Sequence, residues 1–318
     1  MFFGNSAKIP IIFILIHQEV NAINLLNIKS DYVFKRVFGH VGNEDVTKDF
    51  LKSLLKQEIS NISLDNNPIL EKDLFDDKIG ILDIKAKINN DTNVDIEMQV
   101  VNKNNIEERI LFYWSKLFIS LLQPGCDYGL LQKTIVILIT DFEYKKTEDI
   151  PKYVTQWKIR EENHPQLLLT DLLEIYIIDL VKFKKLGENP DYAALNSWIK
   201  FIESPEVIDM SNKEIVKAKK VLEEISQDEH ERCLAELREK YILDQNAIEA
   251  AGFDRGMEEG KRDGLKQGLE QGLEQGLEQG IQKEKLEIAK KMLENNFSID
   301  VISNITNLSV EELNKLKN

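Results

Sequence analysis

Leu82, Ile84, Ala86 and Ile88 alternate with Asp83, Lys85 and Lys87, and shortly afterwards Val94, Ile96, Met98 and Val100 alternate with Asp95, Glu97 and Gln99. Successive side chains of a strand point to opposite faces, so each segment carries one apolar and one charged face. Asn89, Asn90, Asp91, Thr92 and Asn93 form a cluster of turn formers between them, and residues 79–101 read as a β-hairpin. A turn centred near Asp91 pairs odd positions with odd ones, which sets Asp83 beside Glu97 or Gln99 within cross-strand reach. Two carboxylates converging there make a hard oxygen site suited to Mg²⁺ or Mn²⁺. Such an ion polarises a phosphodiester and lowers the pKa of a bound water that attacks phosphorus. Lys85, or a base near Gln99, would orient that water and offset charge in the transition state. From alternation alone, an antiparallel sheet with one solvated, charged face is the simpler account.

Helices and strands around the hairpin must hold it in place. Ser30 and Asp31, followed by Tyr32, Val33, Phe34, Val37 and Phe38, predict a capped amphipathic helix, and a second runs from Asp45 through Phe50, Leu51, Leu54 and Leu55. Helical spacing returns between Ile106 and Leu122; Thr134 to Thr140 is the apolar, β-branched run of a central strand, and Leu172 to Ile178 gives another. A long polar insertion lies between Phe142 and Leu167. This order predicts a compact mixed α/β domain over 25–185. Helical spacing dominates 186–250, with a long, charged, heptad-like stretch after Ile215. Glycines at 256, 260, 264, 268, 272, 276 and 280, seven of the 15 in the chain, mark a repeat tract over 251–282. Each interior glycine costs about 0.5–1 kcal/mol relative to alanine, so an isolated helix there is marginal unless a partner covers it. Residues 283–318 predict a small helical unit.

The chain has 318 residues, a net charge of −14, and only Cys126 and Cys233 as cysteines, without metal-ligand spacing. Neither a disulfide framework nor a thiolate zinc site is suggested, and a reducing bacterial cytoplasm is the expected compartment. The net charge argues against nonspecific coating of nucleic acid, because that mode depends on clustered Lys and Arg. The apolar run Ile9–Ile16 is interrupted by Pro10 and falls short of the roughly 20 residues of a membrane span. Residues 1–24 are expected to be a disordered or mis-started extension, and no membrane partner is expected.

Leu82-Asp83-Ile84, a polar turn and Asp95-Ile96-Glu97-Met98-Gln99 resemble the core of the PD-(D/E)XK nuclease superfamily, and more narrowly the recombination-promoting nuclease family, also labelled PD-(D/E)XK transposases. Other matching pieces are Ser30-Asp31-Tyr32-Val33-Phe34-Lys35 with Phe38-Gly39, then Asp49-Phe50-Leu51, Arg109 with Tyr113 and Lys116, and Gly125 with Tyr128. They continue with Ile177-Ile178-Asp179-Leu180, Lys182-Phe183, the glycine tract and Asn307-Leu308-Ser309. The resemblance covers nearly everything after residue 24. It implies a restriction-endonuclease-like α/β core, a mixed sheet flanked by helices, with a helical C-terminal extension. It implies Asp83 and Glu97 as metal ligands, with the carbonyl of Met98 as a third. Gln99 stands where the superfamily has lysine; it can hold a water but brings no cation, which leaves open whether Lys85, two residues after Asp83 on the same face, supplies the missing charge. Asp31 and Lys35 are secondary candidates at the site rim, against readings as a helix cap and a solvated lysine.

Arg109, Tyr113 and Lys116 recur at four and three residues, one stripe of a helix that could meet phosphates or be an ordinary helix surface. Glu311 and Glu312 would repel phosphate, so the terminal unit is expected to cap the chain or to self-associate. The function expected is a Mg²⁺- or Mn²⁺-dependent DNA endonuclease tied to recombination or mobile elements, homo-oligomeric through its C-terminal helices. The alternative is a non-catalytic interaction protein that keeps the nuclease fold. Strand-transferring transposition lacks a further acidic ligand and an end-binding domain.

Overall fold

The computed structural model describes residues 23–65, 84–101, 105–120, 122 and 125–317. Asp83, Leu82 and most of the expected 1–24 extension lie outside the described residues. The chain divides into two compact units, Met1–Ile242 and Leu243–Asn318.

In the first unit, helices α1 (Asp31–Phe38) and α2 (Glu44–Leu55) precede the strands β1 (Ile62–Leu64), β2 (Ile84–Ile88) and β3 (Thr92–Gln99). Helix α3 (Ile106–Ile119), strands β4 (Lys133–Thr140), β5 (Val154–Trp157) and β6 (Leu173–Asp179), and helices α4 (Leu180–Leu186), α5 (Ala193–Glu203) and α6 (Lys213–Gln227) follow. The strands make one mixed six-stranded sheet in the order β1-β2-β3-β4-β6-β5, with β3, β4 and β6 parallel and the others antiparallel to their neighbours. The hairpin closes on Asn89 and Asn90, whose φ values of 50° and 65° are the left-handed conformations of a type I′ turn, which asparagine tolerates. The turn is tighter than the run of turn formers suggests, so Thr92 and Asn93 already belong to β3.

Register decides what each face does. Even positions of β2 and β3 join Ile135, Ile137 and Ile139 of β4 in the main core, which α1, α2, α5 and α6 complete. Trp198, Phe201, Ile215 and Leu222 all belong to this core, so it extends well past residue 185. On the other face Ile106 and Ile110 of α3 pack with Val136, Leu138, Ile175 and Ile177, and the Trp114 indole donates to the Thr134 carbonyl at 3.1 Å. Ser30 sits at the α1 N-cap position but makes no capping bond; instead the Asp31 carboxylate accepts from the Tyr32 N–H at 2.7 Å.

Glu174 of β6 is buried and accepts from Lys133 at 2.8 Å, with Lys158 at 2.5 Å. Burial pushes its carboxyl upward, but the hydrogen bonds and charges of the two lysines outweigh this and hold it below its ordinary value of 4.5. A folded value below the unfolded one contributes stability that is complete above the ordinary value and is lost as pH falls through the lowered one. Glu174→Gln is expected to cost about 2 kcal/mol near neutral pH, with the difference from wild type shrinking below about pH 4, read by urea unfolding at both ends. A gap that widens on acidification would contradict this assignment.

Helix α7 (Glu229–Glu294) begins in the first unit, where Arg36 grips Glu231 at 2.6 Å and Arg238 grips Asp31 at 2.7 Å, and ends in the second. The second unit continues with α8 (Ile299–Thr306) and α9 (Val310–Lys317), which close with the end of α7 around Ala289, Ile302, Leu308 and Leu313. The glycine tract is helical throughout, and a methyl group added at any glycine from Gly252 to Gly280 would meet nothing within 4 Å. Leu265, Leu269, Leu273 and Leu277 are exposed beside it. Ser309 and Glu312 form a reciprocal capping box, Ser309 N–H to Glu312 at 2.8 Å and Glu312 N–H to Ser309 Oγ at 3.3 Å. Glu312 therefore has a structural reason to stand at the start of α9.

Candidate active site

Every residue of β3 from Thr92 to Met98 is buried, Asp95 and Glu97 at 3% and 8% exposure. The solvated-face account of the alternation does not hold for this strand, because α3 covers its charged side. Unpaired buried charge is expensive, so carboxylates on such a face need cations or hydrogen-bond donors near them. Arg109 of α3 meets that need at Glu97: its Nη2 donates to Glu97 Oε1 at 2.8 Å and to Gln99 Oε1 at 3.5 Å. The Gln99 amide is oriented from its other end, where Nε2 donates to the Val101 carbonyl at 3.0 Å. The Asp141 N–H, just past the end of β4, donates to the Gln99 carbonyl at 3.0 Å and fixes the strand end.

The remaining candidates are placed as follows. Met98 packs its side chain into the main core on the opposite face, so only its backbone is available to the site. Lys85 pairs with Asp95 in the β2–β3 ladder. Lys35 of α1 is buried at 7% exposure rather than solvated, close to Ile84 at the start of β2. Gly39 sets that approach: a Cβ there would lie 2.9 Å from Ile84 Cγ1 and 3.2 Å from Lys35 Cγ, so only glycine lets α1 end against this strand. Asp31 is tied to Arg238 by both Nε and Nη2. Tyr113 is buried with its ring 5.5 Å from the Arg109 guanidinium, and Lys116 is exposed on the same stripe. Beyond Tyr113 a cavity of about 490 Å³ opens between the first three strands and α3, lined among others by Lys85, Lys87, Asn93, Asp95 and Lys116.

Among the described residues no group of three His, Cys, Asp or Glu side chains could hold a metal ion, and Asp83 lies outside them. The donors present at the end of β3, a carboxylate and an amide oxygen, are hard oxygens of the kind Mg²⁺ and Mn²⁺ take. Among the described residues no helix is long and apolar enough to cross a membrane.

A mixed sheet with an antiparallel hairpin feeding parallel strands, flanked by helices on both faces and carrying buried acidic residues on the hairpin, is the restriction-endonuclease-like α/β fold. Residues 28–251 match the family model described as PD-(D/E)XK nuclease family transposase, and the chain belongs to that family. Residues 282–318 match a second model, Rpn/YhgA-like nuclease family, C-terminal HTH domain, which gives the terminal unit a helix-turn-helix identity where the sequence suggested a cap or a self-association element. No curated protein and no solved structure matches the chain.

Proposed function

We propose that the protein is a divalent-metal-dependent endonuclease that hydrolyses phosphodiester bonds of DNA in recombination or mobile-element processes. The observation that carries this reading is the buried Glu97 carboxylate on the hairpin face, with Gln99 two residues on and Arg109 donating to both. Asp83 directly precedes Ile84, the first residue of β2, which pairs with Ile96 beside Glu97. Asp83 and Glu97 would then hold Mg²⁺ or Mn²⁺, with the Met98 carbonyl as a third oxygen. When bound, the ion supplies a Lewis acid and a water of lowered pKa. Gln99 orients the attacking water through its amide oxygen. Arg109 and Lys85 bring the positive charge that Gln99 lacks and offset the negative charge gathering on the phosphoryl oxygens. Tyr113, Lys116 and Lys35 position the DNA backbone near that centre, and Asp31 supports it from α1. Metal-dependent cutting of plasmid DNA, suppressed by EDTA, is the test.

The helix-turn-helix match at 282–318 supports DNA as the partner of the second unit as well. In the same proposal the chain self-associates through its C-terminal helices, where glycines and exposed leucines lie side by side on α7. Light scattering is expected to give a multiple of the 36.8 kDa chain mass, reduced to one chain when residues after 250 are removed. A full-length protein of single-chain mass would contradict this part of the reading.

A further inference from the structure

The cavity beside the hairpin is built differently from a groove that only tracks phosphates. Cations reach it from two elements, Lys85 and Lys87 from β2 and Lys116 from α3, while Leu64 and Leu117 supply an apolar wall. Asp65 and Asp95 also line it, so its charge is mixed and not simply basic. Asn93 stands in the wall at 6% exposure, and its Nδ2 has no hydrogen-bond partner among the described residues. A buried amide donor without a partner costs about 1–3 kcal/mol, and such groups are few in folded proteins unless a ligand uses them. Asn93 pairs with Lys87 across the ladder, and Asp95 with Lys85. The Lys85–Asp95 pair is two residues, ~7 Å, from Glu97 along the strand.

A volume of about 490 Å³ is that of a small-ligand pocket, too small for a duplex segment. A base enters such a pocket only out of its stack, held by apolar contact and by hydrogen bonds to its edge. We propose that this cavity is a subsite for one unpaired nucleotide of the DNA next to the bond being cut. Leu64 and Leu117 bear on its base, Asn93 turns its amide to an acceptor on the base edge, and Lys85, Lys87 and Lys116 draw its phosphate. The inference rests on the proposed DNA-cutting function and names the substrate form that site prefers: DNA with an unpaired or easily unstacked nucleotide.

The test is made on the full chain in EDTA, so that it reads binding without cutting. Two labelled duplexes are compared, one fully paired and one with a single unpaired 2-aminopurine, a base whose fluorescence reports stacking. Wild type is expected to bind the second about tenfold more tightly, with a change in 2-aminopurine emission. Asn93→Leu keeps the side chain's shape and removes the unpaired donor. It is expected to lose the preference while melting no lower than wild type, which a purely structural Asn93 would not allow. Lys87→Gln is expected to weaken binding of the unpaired duplex by a factor of a few and to flatten its salt dependence. Equal binding of the two duplexes by wild type, or an undiminished preference in Asn93→Leu, would overturn the proposal. So would competition by a free deoxynucleoside monophosphate without any preference between duplexes, which would make the cavity a free-nucleotide site. A wild type that shows the binding preference yet cuts no DNA with any metal would count against the nuclease reading and leave the subsite standing.

Discussion

Glu97→Gln is expected to lower single-turnover DNA cleavage roughly a thousandfold or more, the scale of losing one preorganised electrostatic group in a water-poor site, about 4 kcal/mol. The substitution keeps the size of the side chain and an oxygen that still accepts from Arg109, so the fold is expected to survive with a melting temperature within a few degrees of wild type. The roles of the two partners separate in a Mn²⁺ titration. Glu97→Gln removes the carboxylate proposed as a ligand and is expected to lose metal binding along with activity. Arg109→Ala removes a cation 2.8 Å from that carboxylate and is expected to bind Mn²⁺ as well as or better than wild type, yet to cut about a hundredfold more slowly. Equal metal affinity in wild type and Glu97→Gln would contradict the ligand role; unchanged cutting in Arg109→Ala would contradict the charge-offsetting role.

The largest effect on stability is expected from Trp198→Ala. This indole is fully buried, with its ring centroid 5.5 Å from that of Phe38 and 6.1 Å from those of Phe50 and Phe201. Its Nε1 donates to Asp49 at 2.9 Å. Truncation leaves a cavity where α1, α2 and α5 meet, and the expected loss is about 3–5 kcal/mol by urea unfolding, a large part of a domain's usual 5–15 kcal/mol. Trp198→Phe keeps most of the apolar volume and loses the bond to Asp49, so about 1–3 kcal/mol is expected. A loss in Trp198→Ala below about 1 kcal/mol would mean that α5 is an appendage and not part of the core that positions α1 and, through Gly39, the start of β2.

The hairpin is the part of the fold most legible in the sequence. A period of two on both arms and the turn formers between them mark the two strands and the hairpin, and alternation assigns Glu97 and Gln99 to one face, while the tightness of the turn on Asn89 and Asn90 comes from the structure. Strands β1 and β5 are not legible: they have three and four residues, too few for a period to show, and β5 lies inside what reads as a polar insertion. The stripe of Arg109, Tyr113 and Lys116 is visible as helical spacing, but its meeting with the carboxylate of Glu97 depends on how α3 docks on the sheet, which no local pattern encodes. Burial of the charged face is hidden for the same reason, since alternation looks alike whether water or a helix covers it. For Lys35 the sequence leaves the site rim and a solvated lysine as alternatives, because nothing local shows the neighbours that bury it. One signal was available: Ser309 and Glu312 stand at capping-box spacing, which explains an acidic residue at the start of α9 without any bearing on phosphate.

In the proposed mechanism Asp83 and Glu97 form one metal-dependent cutting centre. The most direct test is conversion of supercoiled plasmid to nicked or linear DNA with Mg²⁺ or Mn²⁺, comparing wild type, Asp83→Ala and Glu97→Ala, with circular dichroism as the control for folding. Cutting by wild type that EDTA stops, and none by either folded variant, is expected. Absence of cutting by wild type with every metal, or equal cutting by all three proteins, would contradict it and leave the C-terminal helices as the working part of the molecule.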